Sequence, residues 1–87
     1  MPESKETEYR VLLVNDTETP MDFVVDVLQT LFHLEFYAAT KLMLRVHHEE
    51  SAECGVYSHE EATQMVEEVV AFARANKHPL QCVMVKR

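Results

Sequence analysis

The stretch "YRVLLVNDTETPMDFVVDVL", residues 9–28, decides the fold. Its first part is apolar and stops at a cluster of short polar side chains, as a strand does when it runs into a turn. Its second part begins an apolar repeat, Met21, Val24, Val25 and Leu28, that continues to Leu31 and Phe32 with a 3.6-residue period. A strand over 9–15 therefore feeds a helix running from about Pro20 to Leu34. Thr19 suits the N-cap of that helix, Pro20 its first position, and Asp22 a capping box. Those roles account for Thr19, Pro20 and Asp22. They leave Asn15, Asp16 and Thr17 in surplus, because a single turn former would reverse the chain.

Downstream of this unit, a second helix covers about 37–49, with Ala39, Leu42, Met43 and Val46 on one face. "AECGVYS" (52–58) reads as a short strand, with Gly55 as a bend or bulge. Ser58 and Glu61 form a capping box that opens a third helix, which runs to about Asn76 on the stripe Ala62, Met65, Val66, Val69 and Ala73. Pro79 cannot continue it, and "LQCVMVK" (80–86) reads as a last strand. Residues 1–8 read as a short flexible tail and 9–87 as one domain. The order β-α-α-β-α-β predicts an α+β fold, a three-stranded, mainly antiparallel sheet packed by three helices.

Composition narrows the function. The 87 residues suffice for one small domain, and 47% apolar content excludes disorder throughout. Eight basic residues against fifteen acidic give a net charge of −7. That leaves no cationic footprint for nucleic acid or for an anionic membrane, and favours a basic or N-terminally cationic partner. "MPESKETEYR" is too charged for a signal peptide, and no apolar run reaches membrane-spanning length. Cys54 and Cys82 form no CxxC pair and read as free thiols of a cytoplasmic protein. "HHEE" (47–50), with His33 or His59, offers ligand types without HExxH or paired-cysteine spacing, so neither a metal nor a cofactor is expected. No nucleophile motif occurs, and an enzyme is not expected. A monomer is.

One set of residues goes further. His47 lies four residues after Met43 and shares its helix face, with Leu42 and Val46 nearby. A histidine beside an apolar face is more often a packing residue, and methionine stripes usually belong to the core. Together with the surplus turn residues, however, they supply acceptors, an imidazole and apolar walls. That set suits a ligand with a cationic head and an apolar tail, since an ammonium donates three hydrogen bonds and accepts none. The alternative is a protein–protein interaction module without such a pocket.

The motifs "YRVLLVND", "TPMDFVVDVL", "ATKLMLRVHH", "CGVYSHEEA" and "HPLQC" resemble those of the ClpS family, bacterial adaptors that recognise N-degrons and deliver them to a Clp-family AAA+ unfoldase. The resemblance spans about residues 9–87. It implies that Asn15, Asp16, Thr17, Thr19 and His47 hold the α-amine and first peptide bonds of a substrate's N-terminal peptide. It also implies that Met21, Val24, Met43, Val46 and Leu80 line a pocket for a first side chain of Phe, Tyr, Trp or Leu, with Met21 as a gate against β-branched residues. Three features depart from the family pattern. Thr17 stands where a second acid is common, "HHEES" replaces a stretch with a glycine, and only about eight residues precede the fold where a longer extension used in delivery is usual.

Overall fold

The computed structural model describes residues 8–87. In chain order the elements are β1 (Glu8–Val14), α1 (Met21–Thr30), α2 (Phe36–Glu49), β2 (Ser51–Ser58), α3 (His59–Ala75) and β3 (Gln81–Lys86). The class and order are those expected. β1 is the middle strand of a β2-β1-β3 sheet, antiparallel to both neighbours.

Alternation along β1 turns Val11 and Leu13 to one face, where both are fully buried. Cys82 and Met84 stand opposite Leu13 and Val11 on β3, and Ala52 and Gly55 stand opposite them on β2. Two inward positions three residues apart on β2 require one extra residue. The register slips between Val11 and Leu12, leaving Cys54 as the bulge beside Gly55. The helices cover this inward face: α3 lies across the three strands, α2 packs on β2, and α1 packs on α2. Phe23, at the start of α1, stacks on Phe72 of α3 with ring centroids 5.3 Å apart, and the His78 ring lies 4.5 Å from it. Cys54 and Cys82 are free, and burial pushes each thiol up to about 12, so both stay protonated and unreactive.

Boundaries moved for local reasons. Glu8 belongs to β1, where it pairs with Ser58 and its carbonyl accepts the Arg87 N–H at 2.9 Å. The rest of the expected tail, residues 1–7, lies outside the described residues. α1 stops at Thr30, short of Leu34, because His33 takes a φ of 60° and the Leu34 N–H turns back to the Leu28 carbonyl at 3.1 Å. α2 starts at Phe36, capped by the Glu35 carboxylate, which accepts from the N–H groups of Tyr37 and Ala38 at 3.0 Å each. At the start of α3 the expected capping box forms, with Ser58 Oγ accepting the Glu61 N–H at 3.1 Å. α3 closes in a Schellman motif: the His78 N–H reaches the Ala73 carbonyl at 2.8 Å and the Lys77 N–H reaches that of Arg74 at 3.0 Å.

The chain has one glycine, Gly55, and none at a helix end. Left-handed residues after the helices are therefore His33, Glu50 and Lys77, with φ of 60°, 75° and 63°. A side chain in that region costs about 1–2 kcal/mol, and a glycine there gives back roughly 0.5–1 kcal/mol through its freer unfolded state. Glu50→Gly should accordingly stabilise the fold by about 0.5–1 kcal/mol. The check is a urea denaturation series, in which the midpoint rises at unchanged slope. A lower midpoint would mean that the Glu50 side chain makes contacts that outweigh its backbone strain.

Candidate functional site

The site forms where β1 ends. The Asn15 N–H donates to the Glu50 carbonyl at 2.8 Å, tying the end of the strand to the C-cap of α2. That bond brings Asn15 to the helical turn that carries His47. Asp16 then folds the next residues over. Its Oδ1 accepts the N–H groups of Glu18 and Thr19 at 2.8 and 2.7 Å, and its Oδ2 accepts the Thr19 hydroxyl at 2.7 Å.

This arrangement corrects the capping expectation. Thr19 does not cap α1, and the box with Asp22 does not form. The N-cap is Pro20 (φ −66°, ψ 149°), with no side-chain cap. The Thr19 hydroxyl donates to the Asp16 carboxylate, and because the helix starts one residue later, at the N-cap Pro20, the Thr19 oxygen is not in the capping position. The first N–H groups of α1 are left uncapped, while those of Phe23 and Val24 reach the Pro20 carbonyl at 3.1 and 3.2 Å.

Between this loop, the first turn of α1 and the last turns of α2 lies a cavity of about 430 Å³. Its lining comprises Asn15, Asp16, Thr17, Thr19, Pro20, Met21, Val24, Met43, Val46 and His47. Met43, Val46 and His47 share one side of α2 by their i, i+3, i+4 spacing. Val24, Met43 and Val46 are buried, whereas Met21 is 45% exposed at the mouth. The loop and His47 thus make a polar end, and the helices make an apolar one.

Of the residues expected at the site, Leu80 alone is not brought to the cavity. It is 1% exposed and belongs to the hydrophobic core. Its carbonyl accepts from Arg74 Nη1 at 3.1 Å, which holds the chain just before β3 with the leucine side chain directed into the packed interior. Pro20 is an addition. In the sequence it registers only as a helix starter.

The cavity lining includes no lysine or arginine. Burial pushes the Asp16 carboxyl up, but the Thr19 hydroxyl, the N–H groups of Glu18 and Thr19, and the charge of His78 outweigh it, so the group settles below its ordinary value of 3.8. Asp16 is therefore anionic at neutral pH. The C-terminus of α2, beside Asn15, adds the negative end of a helix dipole. An acceptor-rich, negative rim opposite an apolar wall is chemistry for an organic cation whose body is hydrophobic.

Residues 4–83 match the family model described as "ATP-dependent Clp protease adaptor protein ClpS". The ATP-dependent Clp protease adapter protein ClpS 2 of Rhodopseudomonas palustris is 54% identical over 79 residues, which cover 91% of this chain and 72% of that protein. The ClpS adapter of Nitrosospira multiformis is 55% identical over 76 residues, covering 87% of this chain and 74% of that one. The solved structure of Agrobacterium tumefaciens ClpS2 bound to L-phenylalaninamide superposes with a TM-score of 0.91 at 26% identity, over 94% of this chain and 99% of that one.

The three bonds to Asp16 set a testable pH signature. Asp16→Asn keeps one acceptor oxygen and loses the charge, which should cost about 1–3 kcal/mol of stability at pH 7. A depressed carboxyl pKa contributes stability that is complete above the unfolded-state value and is lost as pH falls through the lower folded-state value. Urea midpoints of the two proteins should therefore differ at pH 7 and draw together as pH falls below about 4. A difference that persists undiminished to pH 2.5 would remove the carboxylate charge from the account.

Proposed function

The chain belongs to the ClpS family of ATP-dependent Clp protease adaptors, and from that membership we propose that its cavity receives the first residue of a substrate protein for handover to a Clp-family AAA+ unfoldase. The observation that carries the reading is a cavity whose polar end is negative and rich in acceptors and whose other end is apolar. The α-ammonium sits between the Asn15 side-chain oxygen and a His47 ring nitrogen, in the field of Asp16. Thr17 and Thr19 border the first peptide bond. The first side chain, Phe, Tyr, Trp or Leu, lies among Met21, Val24, Met43 and Val46. L-phenylalaninamide, the ligand of the Agrobacterium protein, has this composition: a free α-amine, an apolar side chain and an amide.

Magnitudes require both ends of the ligand. Micromolar binding needs about 8 kcal/mol net. Burying a Leu or Phe side chain supplies roughly 1.5–3 kcal/mol, and each charge-assisted hydrogen bond about 1.5–3 kcal/mol, against the cost of association. Neither end reaches the total alone. With Thr17 in place of an acid, the ammonium depends on Asn15, His47 and the single carboxylate of Asp16. In this reading the protein acts as a monomeric adaptor in the cytoplasm. Its net charge of −7 disfavours nucleic acid, and no helix among the described residues is long and apolar enough to cross a membrane.

The direct test is a fluorescence-anisotropy titration with a Phe-initiated peptide, free or N-acetylated. Acetylation removes the cation and should weaken binding at least about a hundredfold, since two charge-assisted bonds amount to roughly 3 kcal/mol or more. Equal affinity for the two forms sinks the α-amine reading.

Specificity resides in the apolar end. Met21 is exposed enough to be trimmed without opening the core. Met21→Ala should admit Ile- and Val-initiated peptides, whose β-branch no longer meets the thioether, with a gain limited to about 1–3 kcal/mol per methylene. An unchanged ranking of first residues, with all affinities lowered together, would make Met21 a structural residue only.

A further inference from the structure

The helix that carries Met43, Val46 and His47 into the cavity has an outward side, exposed at Tyr37, Lys41 and Arg45. There a shallow groove of about 450 Å³ runs along α2, lined by Tyr37, Ala38, Lys41, Leu42 and Arg45. We propose that this groove docks an amphipathic helix of a partner protein, one that sets two carboxylates a turn apart beside an apolar side chain. The inference is independent of the reading of the first cavity.

Charge is the first argument. The chain has fifteen acidic residues against eight basic, yet none of the fifteen lines this groove, whereas Lys41 and Arg45 both do. Lys41 takes no part in the ion pairs found among the described residues, which are Arg10–Glu53, Arg45–Glu49 and Arg87–Glu8. Its ammonium instead stands 5.3 Å from the centroid of the Tyr37 ring. Arg45 reaches Glu49 at 3.5 Å with both side chains more than half exposed, a pair that solvent weakens and a second carboxylate can replace. Together with the Tyr37 hydroxyl these groups offer donors, and a carboxylate supplies only acceptors. The net charge of −7 does not forbid the approach, because the screening length is about 8 Å at physiological ionic strength and the charges nearest the groove decide.

Spacing gives the occupant its form. Lys41 and Arg45 are four residues apart, about 6 Å along the axis of α2. Carboxylates at i and i+4 of a second helix have the same separation, and a residue at i+3 lies beside them on the same face. Glu-x-x-Leu-Glu is the simplest such pattern. Its leucine meets Ala38 and Leu42 on the groove floor and the ring of Tyr37, which is 68% exposed. Nucleic acid fits less well, because two cations are a small footprint for a polyphosphate. Position on the helix is the last argument. Met43 and His47 each lie two residues on from Lys41 and Arg45, a rotation of about 200° around α2. A partner on the groove therefore leaves the cavity open, and both can be occupied at once.

The test uses three N-acetylated helical peptides of about 20 residues, which have no α-ammonium to offer the first cavity. One repeats Glu-x-x-Leu-Glu, the second replaces its Glu residues with Gln, and the third replaces its Leu residues with Ala. Each is titrated by fluorescence anisotropy against wild type and a Lys41→Gln/Arg45→Gln double variant. The first peptide should bind wild type roughly threefold to tenfold more tightly than either of the others at low salt. Its advantage over the Gln peptide should shrink towards parity at about 1 M salt, where the screening length is about 3 Å, and should vanish in the double variant. Equal binding of the Glu and Gln peptides overturns the docking surface, as does a preference that survives in the double variant. An Ala peptide that matches the first makes the groove a charge-only surface and overturns the helix. A short RNA that binds wild type but not the double variant assigns the groove to nucleic acid, and a concentration-dependent rise in molecular mass that the double variant abolishes assigns it to a second copy of the chain; either overturns the proposal. Competition between the first peptide and a Phe-initiated peptide with a free amine places both on one site and overturns it as well. The double variant should keep the wild-type urea midpoint. If it does not, Lys41→Gln alone, at an exposed position outside the ion pairs found among the described residues, decides in its place.

Discussion

The carboxylate of Asp16 governs where everything near the site lies. Three hydrogen bonds between 2.7 and 2.8 Å converge on it and fold residues 16–19 into a turn. The turn fixes the direction in which the chain leaves β1, and with it the position of Pro20 and the first turn of α1. That turn carries Met21 and Val24 into the cavity wall and, from the adjacent position, Phe23 onto Phe72 of α3. The Asn15–Glu50 backbone bond completes the frame by pinning the strand end to α2. One tether sets the distance from the loop to His47 and the other sets the orientation of the loop. Neither Asn15 nor Thr17 is needed to hold the turn, so their side chains are available to a ligand.

Two helix ends meet at this frame with opposite partial charges. α2 finishes beside Asn15 with the negative end of its dipole, and α1 begins after Pro20 with no side-chain cap on its first N–H groups. A peptide N-terminus has the matching polarity over a single residue, an ammonium followed at once by a carbonyl oxygen. The missing N-cap on α1 is therefore not simply a loss of stability. In the proposed reading it leaves donors at the rim where a ligand carbonyl would lie, because the N-cap is Pro20, which has no side-chain acceptor.

Much of this was legible in the residues, for identifiable reasons. The helices announce themselves through periodicity, and α3 through Ser58 and Glu61, because a capping box depends on neighbours in sequence. The short polar residues at 15–17, more than a turn needs, fall on the cavity lining. The start of α1 differs from the expectation because Thr19 has two local partners within reach, the helix and Asp16, and sequence does not rank them. The buried stripe on α1 is wider than its periodicity suggests. Phe23 and Val27 are buried as well, because α1 is packed both on α2 and, through Phe23, on α3. Leu80 follows a proline at the head of a strand, a position equally suited to a pocket wall and to the core. Only the packing of β3 against α3 decides for the core. Glu35 as the cap of α2 was not legible, since glutamate is not among the favoured N-cap residues.

In the proposed reading, affinity and choice divide between the two ends of the cavity. Every unmodified protein presents an α-ammonium, so Asn15, Asp16 and His47 would contribute binding without discrimination. Discrimination must come from the apolar end, where each methylene distinguishes ligands by only about 1–3 kcal/mol. The wall there is uneven. Val24 and Val46 are β-branched, stiff and buried, and Met43 is buried with them at 8% exposure, while Met21 stands 45% in solvent. A methionine has three rotatable side-chain bonds and fills irregular gaps. At an exposed position it can move without opening the core. The inner surface of the cavity is thus fixed and its outer boundary adjustable, which in the proposed reading would let one pocket accept side chains as different as Leu and Trp while the same thioether would obstruct a branch at Cβ.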